Sequence, residues 1–117
     1  MCFYCNCEVL TRNKRGEILR NEERTCISVQ FGNIDFSLNQ RDFIAFFSFI
    51  NSLTDGHLEE MTNHWNNKIV IRQKAFMGGY CFYPDEFVEF RGLMKEAIEY
   101  LNFEEELKKI LDPRNNN

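Results

Sequence analysis

Apolar and polar residues alternate with a period of two through the first third of the chain, the mark of half-buried strands. Residues 5–12 look extended, with Cys5, Cys7 and Val9 on one side. Asn13-Lys14-Arg15-Gly16 then supplies turn chemistry, Gly16 being able to take the positive φ of a tight hairpin. Glu17-Ile18-Leu19-Arg20 returns as a second strand. Residues 25–31 form a third, in which Ile27, Val29 and Phe31 alternate with Cys26, Ser28 and Gln30. Beyond a Gly32-Asn33 turn, Ile34, Phe36 and Leu38 share one face of a fourth.

The period then changes to that of a helix. Phe43, Phe46, Phe47, Ile50 and Leu53 make one apolar stripe, Asn39 is placed to cap it, and Asp42 suits the positive end of the dipole. Asp55-Gly56 reads as its stop, and residues 57–67 as a connection with room for one helical turn. Residues 68–74 read as the next strand, Gly78-Gly79 as a turn, and residues 80–83 as a short strand. Pro84 fits the first position of a second long helix, followed by Asp85 and Glu86, with Phe87, Phe90, Met94, Ala97 and Leu101 along one face. Asn102 with Glu105 reads as the cap of a separate short helix through Leu111, carrying the ordered pairs Glu104–Lys108 and Glu105–Lys109, with Pro113 beyond it.

These elements repeat. At an offset of 44 residues, Phe43, Phe46, Ile50 and Leu53 fall on Phe87, Phe90, Met94 and Ala97, Asp42-Phe43 falls on Glu86-Phe87, and residues 25–31 fall on 69–75. Each half is strand–strand–helix, too small to bury its own apolar faces, so the two are expected to pair about a pseudo-twofold axis. The expected fold is α+β. Duplicated strand–strand–helix units form an antiparallel sheet with two long helices on one face, extended by an N-terminal hairpin and ended by a short helix. The whole chain, 1–117, reads as one domain: hairpin 1–24, first unit 25–56, connection 57–67, second unit 68–101 and terminal helix 102–112.

Composition narrows the function. A net charge of -4 argues against a general nucleic-acid binder. No apolar run approaches the roughly 18 residues of a membrane span, and the N-terminus lacks the pattern of a secretory signal. Twelve phenylalanines make either a Phe-rich core or a core plus an aromatic surface that covers a partner or a ligand groove. Five cysteines, an odd number, point to reduced thiols in a cytoplasmic compartment rather than a disulfide framework.

The cysteines are also the sharpest chemical lead. If opposed residues of the first hairpin have numbers summing to about 29, Phe3 faces Cys26 and Cys7 faces Glu22. Cys2, Cys5, Cys7 and Cys26 would then gather, and they are the candidate ligands of a structural zinc or a redox site. The alternative is four thiols packed as small apolar groups, since the second closely spaced pair of a zinc knuckle is missing. His57, Glu60 and His64 resemble a zincin motif only superficially, because the second histidine at i+4 is absent. Cys81 has no base in a recognisable local context, Glu104-Glu105-Glu106 is a solvated helix face, and Gly78-Gly79 lacks the length and lysine of a phosphate loop. No enzyme signature is present. Arg12, Lys14, Arg15 and Arg20 gather at the first hairpin, as a nucleic-acid-binding ribbon requires, but among Glu17, Glu22 and Glu23.

The run Gln30-Phe31-Gly32-Asn33-Ile34-x-Phe36-Ser37-Leu38, followed by Asp42-Phe43-x-x-Phe46, resembles a family of small uncharacterised bacterial proteins. In that family, cysteine-bearing N-terminal strands precede the same Phe-Gly-Asn turn and a helix. The resemblance covers the chain down to about Leu53 and implies a bacterial, cytoplasmic protein with no established activity. Its members carry cysteines in the segment that is Asn21 to Arg24 here, which this chain does not. The sequence thus favours a non-enzymatic protein-interaction module that self-associates, as a homodimer. The cysteine site is the alternative, and nucleic-acid binding through the first hairpin is the weaker one.

Overall fold

The computed structural model describes residues 6–73 and 78–111. Its fold is α+β. A four-stranded antiparallel sheet runs in the order β1 (Glu8–Arg12), β2 (Gly16–Arg20), β3 (Ile27–Phe31), β4 (Ile34–Leu38). Alternation sends Ile27, Val29 and Phe31 into the core from β3, while Ser28 and Ser37 hydrogen-bond across the open face at 2.9 Å. The first turn is held by Asn13, whose side-chain oxygen accepts from the backbone N–H of Arg15 (2.9 Å) and Gly16 (3.0 Å). Gly16 is needed for closeness: a Cβ there would lie 2.0 Å from the carbonyl oxygen of Gln30.

The hairpin register is the expected one beside the turn and departs from it further along the strand. Near the turn Arg12 pairs with Glu17 and Thr11 with Ile18, but an irregularity between Val9 and Thr11 shifts the pairing to Val9 with Leu19 and Glu8 with Arg20. The extra residue, Leu10, is buried. A bulge thus turns an apolar side chain into the core and slips the strand by one residue.

Helix α1 (Gln40–Ser52) begins as expected: the Asn39 side chain accepts from the N–H of Asp42 at 2.7 Å. Asn39→Ala is expected to lower stability by about 1 kcal/mol, read from urea denaturation, because the orphan donor of Asp42 loses its acceptor. Asp55-Gly56 is not the stop of this helix. Leu53 caps it, and Asp55 opens a separate short helix, α2 (Asp55–Glu60). Thr54 and His57 form a capping box there, which holds that helix start against the glycine.

β5 (Ile69–Gln73) and β6 (Gly78–Phe82) form a second, two-stranded sheet, so Gly78 and Gly79 belong to a strand rather than to a turn. α3 (Pro84–Leu111) then runs unbroken through Asn102, where a separate helix was expected. The one glycine within it, Gly92, is tolerated in the helix interior, and Glu104 is tied down by ion pairs described below. No helix among the described residues is long and apolar enough to cross a membrane.

The duplication is visible in three dimensions. An offset of 44 carries β4 (Ile34–Leu38) onto β6 (Gly78–Phe82) and the start of α1 at Gln40 onto the start of α3 at Pro84. Only β5 sits two residues early, an even shift that keeps its side chains on the same face as those of β3. Phe43, Phe46 and Ile50 are buried, and so are their counterparts Phe87, Phe90 and Met94. Residues on a twofold axis touch their own equivalents. Here Phe36 meets Tyr80 with ring centroids 5.2 Å apart, and Phe46 meets Phe90 at 6.5 Å. The core is therefore an aromatic cluster astride the axis, with Phe31, Phe82 and Phe87 packed around it.

Candidate interaction surface

The Phe-rich-core reading holds for most of the aromatic residues. Among the described phenylalanines one alone is exposed: Phe103, at 69%. It does not stand alone. Tyr100, Phe103, Leu107 and Ile110 step 3, 4 and 3 along the last turns of α3, with Leu111 beside them, and all five are exposed. Leu101 is the last buried residue of the helix. At roughly 100° per residue the stripe falls on a face different from that of Phe90, Met94, Ala97 and Leu101. It is a second apolar face, on a helix end that runs past the core. Beside it lies a groove of ≈ 400 Å³ lined by Arg24, Glu104, Leu107, Lys108 and Leu111.

That helix end is fixed in place by a buried cation. The Arg20 side chain is only 2% exposed, and it is the buried charge of the described core. Its guanidinium donates to Glu104 through Nη1 at 3.0 Å and Nη2 at 2.8 Å, a bidentate fork. It also donates to Glu8 from Nη2 at 2.6 Å and Nε at 3.1 Å. The Tyr100 hydroxyl donates to the other oxygen of Glu8. Strand β1, strand β2 and α3 are thereby joined in one charge-assisted network. Arg24 adds an ion pair to Glu104 at 3.7 Å. It sits at φ 60 in a loop that the Asn21 side chain holds, accepting from Thr25 N–H at 2.8 Å and Cys26 N–H at 2.9 Å.

The network sets pKa directions. The Tyr100 and Arg20 hydrogen bonds hold the Glu8 carboxyl below its ordinary 4.5, and the Arg20 hydrogen bond does the same for Glu104. The hydrogen bond to Glu8 raises the Tyr100 phenol, and Glu104 leads the causes that raise Arg20. For a carboxylate whose folded pKa is depressed, the stabilisation is present above the unfolded value and is lost as pH falls through the folded one. Stability is therefore expected to decline below about pH 4.5. Urea midpoints measured from pH 7 to pH 3 check this, and a Glu104→Gln variant should show a shallower decline.

The basic cluster of the first hairpin is engaged within the fold. Arg12 pairs with Glu17 at 2.8 Å, Arg15 with Glu86, Asp85 and Glu89 at the start of α3, and Arg20 as described. Three of the four cations proposed for a nucleic-acid ribbon thus face carboxylates of their own chain. His57 spends Nδ1 on the Thr54 cap at 3.1 Å, and His64 lies beyond the end of α2. Cys2 and Cys5 lie outside the described residues. Cys7 and Cys26 are half-buried; Cys26 lies opposite Asn21, whose N–H donates to its carbonyl at 3.1 Å, and Cys7 directly precedes Glu8 at the start of β1. Among the described residues no group of three or more His, Cys, Asp or Glu is placed to hold a metal ion.

A family model described as a family of unknown function, DUF6686, matches residues 1–111. The chain belongs to this family. The match takes in the Arg20–Glu8–Glu104 network and the α3 stripe together, so both lie within the family's own extent. No curated protein and no solved structure matches the chain.

Proposed function

We propose that this member of the DUF6686 family is a non-enzymatic protein-interaction module that self-associates through the end of α3. The exposed apolar stripe from Tyr100 to Leu111 carries the reading, since such a run on a helix held rigid at its base is a surface that a partner helix covers.

Charge favours a second copy laid antiparallel. The acidic turn Glu104-Glu105-Glu106 is followed at once by Lys108-Lys109. With a twofold axis beside Leu107, that residue meets Leu107 of the partner subunit and Phe103 meets Leu111 of the partner subunit. Glu106 and Lys108, on the flanks of the stripe, then lie level with the partner's Lys108 and the partner's Glu106, while Glu105 and Lys109 sit about 160° from Leu107 on the back of the helix. A parallel arrangement sets like charges side by side instead. Five apolar side chains per copy make a small interface, so a dissociation constant of about micromolar order is expected.

Leu107→Glu places two like charges at the axis. It is expected to weaken association at least about a hundredfold, by sedimentation equilibrium. Because Leu107 is exposed, stability of the monomer should change by less than about 0.5 kcal/mol. An unchanged association constant would remove the stripe from the interface.

A further inference from the structure

The two sheets carry matched, unpaired edges. In an antiparallel strand, successive residues direct their N–H and C=O groups to opposite neighbours. The Asn21 N–H donates to the Cys26 carbonyl, so even-numbered residues of β3 bond toward β2, and Ile27, Val29 and Phe31 bond toward β4. Their partners are Leu38, Phe36 and Ile34, which leaves Asp35 and Ser37 directing their backbone groups outward. On the other sheet the Val70 N–H donates to the Met61 carbonyl, so Ile69 and Ile71 bond toward Phe82 and Tyr80. That leaves Gly79 and Cys81 directed outward. Among the described residues no backbone group bonds to these outward groups, and the two sheets share no ladder.

The four residues are equivalent in pairs: the 44-residue offset carries Asp35 to Gly79 and Ser37 to Cys81. The edges also lie on facing sides. Phe36 touches Tyr80, and a groove of ≈ 260 Å³ is lined by Ile34 of β4 and by Cys81 and Phe82 of β6, with Phe31, Lys68 and Tyr83. With Phe36 opposite Tyr80, Asp35 falls opposite Cys81 and Ser37 opposite Gly79.

We infer that β4 and β6 are the two lips of one interrupted sheet, and that the molecule closes it by pairing Asp35 with Cys81 and Ser37 with Gly79. Each pair exchanges two backbone hydrogen bonds, about four in all. The rings on the axis, Phe36, Phe46, Tyr80 and Phe90, are the pivot, and closure narrows the groove above them. Two long unpaired edges are a standing invitation to intermolecular pairing, and lips already in register with each other remove it.

Amide hydrogen exchange on the native protein tests the inference. The amides of Asp35, Ser37, Gly79 and Cys81 should exchange at least about a hundredfold more slowly than free amides. In parallel, Asp35→Cys is oxidised at high dilution beside the native Cys81. Directly opposed residues of a closed pair are about 5.5 Å apart at Cα, within disulfide reach. Peptide mapping should then find the 35–81 disulfide in the monomeric fraction. Four amides exchanging at free rates, or protected amides without that cross-link, would overturn the inference.

Discussion

Phe90→Ala is expected to lower the free energy of unfolding by about 4 kcal/mol, among the largest losses a single truncation can cause here. Phe90 is fully buried and meets three other rings: Phe82 at 4.8 Å, Phe31 at 5.4 Å and Phe46 at 6.5 Å. Those rings come from β6, β3 and α1, so the truncation opens a cavity where both halves of the duplication meet. The neighbours cannot collapse into it together, because each is held by its own strand or helix. The same substitution at Phe103 should cost less than about 0.5 kcal/mol in the monomer, since that ring is exposed. Denaturant titration of the two variants therefore separates the core from the surface with one chemical change. Equal losses would place Phe103 in the core as well.

Removing the buried cation should be the next most costly change. Arg20→Met keeps the length and apolar stem of the side chain but leaves Glu8 and Glu104 without the guanidinium that binds both. Breaking a buried pair from one side costs about 3–5 kcal/mol. Glu8 and Glu104 retain some contact with water, so about 3 kcal/mol is expected here. The loss should shrink below about pH 4.5, where protonated carboxyls no longer need the cation. Urea denaturation at pH 7 and at pH 3 measures both. A further consequence is local: the helix beyond Leu101 loses its tether to the sheet, and amide exchange of residues 104–111 should accelerate. An effect confined to global stability, with that segment unchanged, would mean that the network is not what holds the stripe.

Much of the fold is legible in the sequence because the duplication repeats its signals. Alternation, the Asn39 and Pro84 helix starts and the apolar helical stripes agree at one offset, and tertiary packing has no reason to override them. The misreadings have local physical causes. Asp55-Gly56 resembles a helix end, but Thr54 and His57 supply a capping box that makes it a beginning. Asn102 with Glu105 resembles a cap, yet a helix interior accommodates both. The bond that continues α3 comes from Arg20, 84 residues from Glu104, and no window along the chain contains both. The same separation hides the burial of Arg20, which in sequence is one more member of a basic cluster.

The surface was legible in part. Phe103, Leu107 and Ile110 continue a helical spacing, but on a face rotated from the one that Leu101 closes. That rotation is the signal by which a second apolar stripe can be told from an extension of the first. The expected cysteine geometry rests on a hairpin register that the buried Leu10 bulge shifts by one residue, and a bulge leaves little trace in an alternating pattern.

The central claim is that two copies of this chain bind through α3, and a native mass spectrum of freshly purified, reduced protein tests it most directly. Recorded across the micromolar range, it should show a dimer of bare chains that gives way to monomer on dilution. A bare monomer at every concentration would contradict the account and leave the stripe to another occupant, a different protein or another segment of the same chain. A monomer carrying one zinc-sized mass would contradict it as well, and would turn attention to Cys2, Cys5, Cys7 and Cys26.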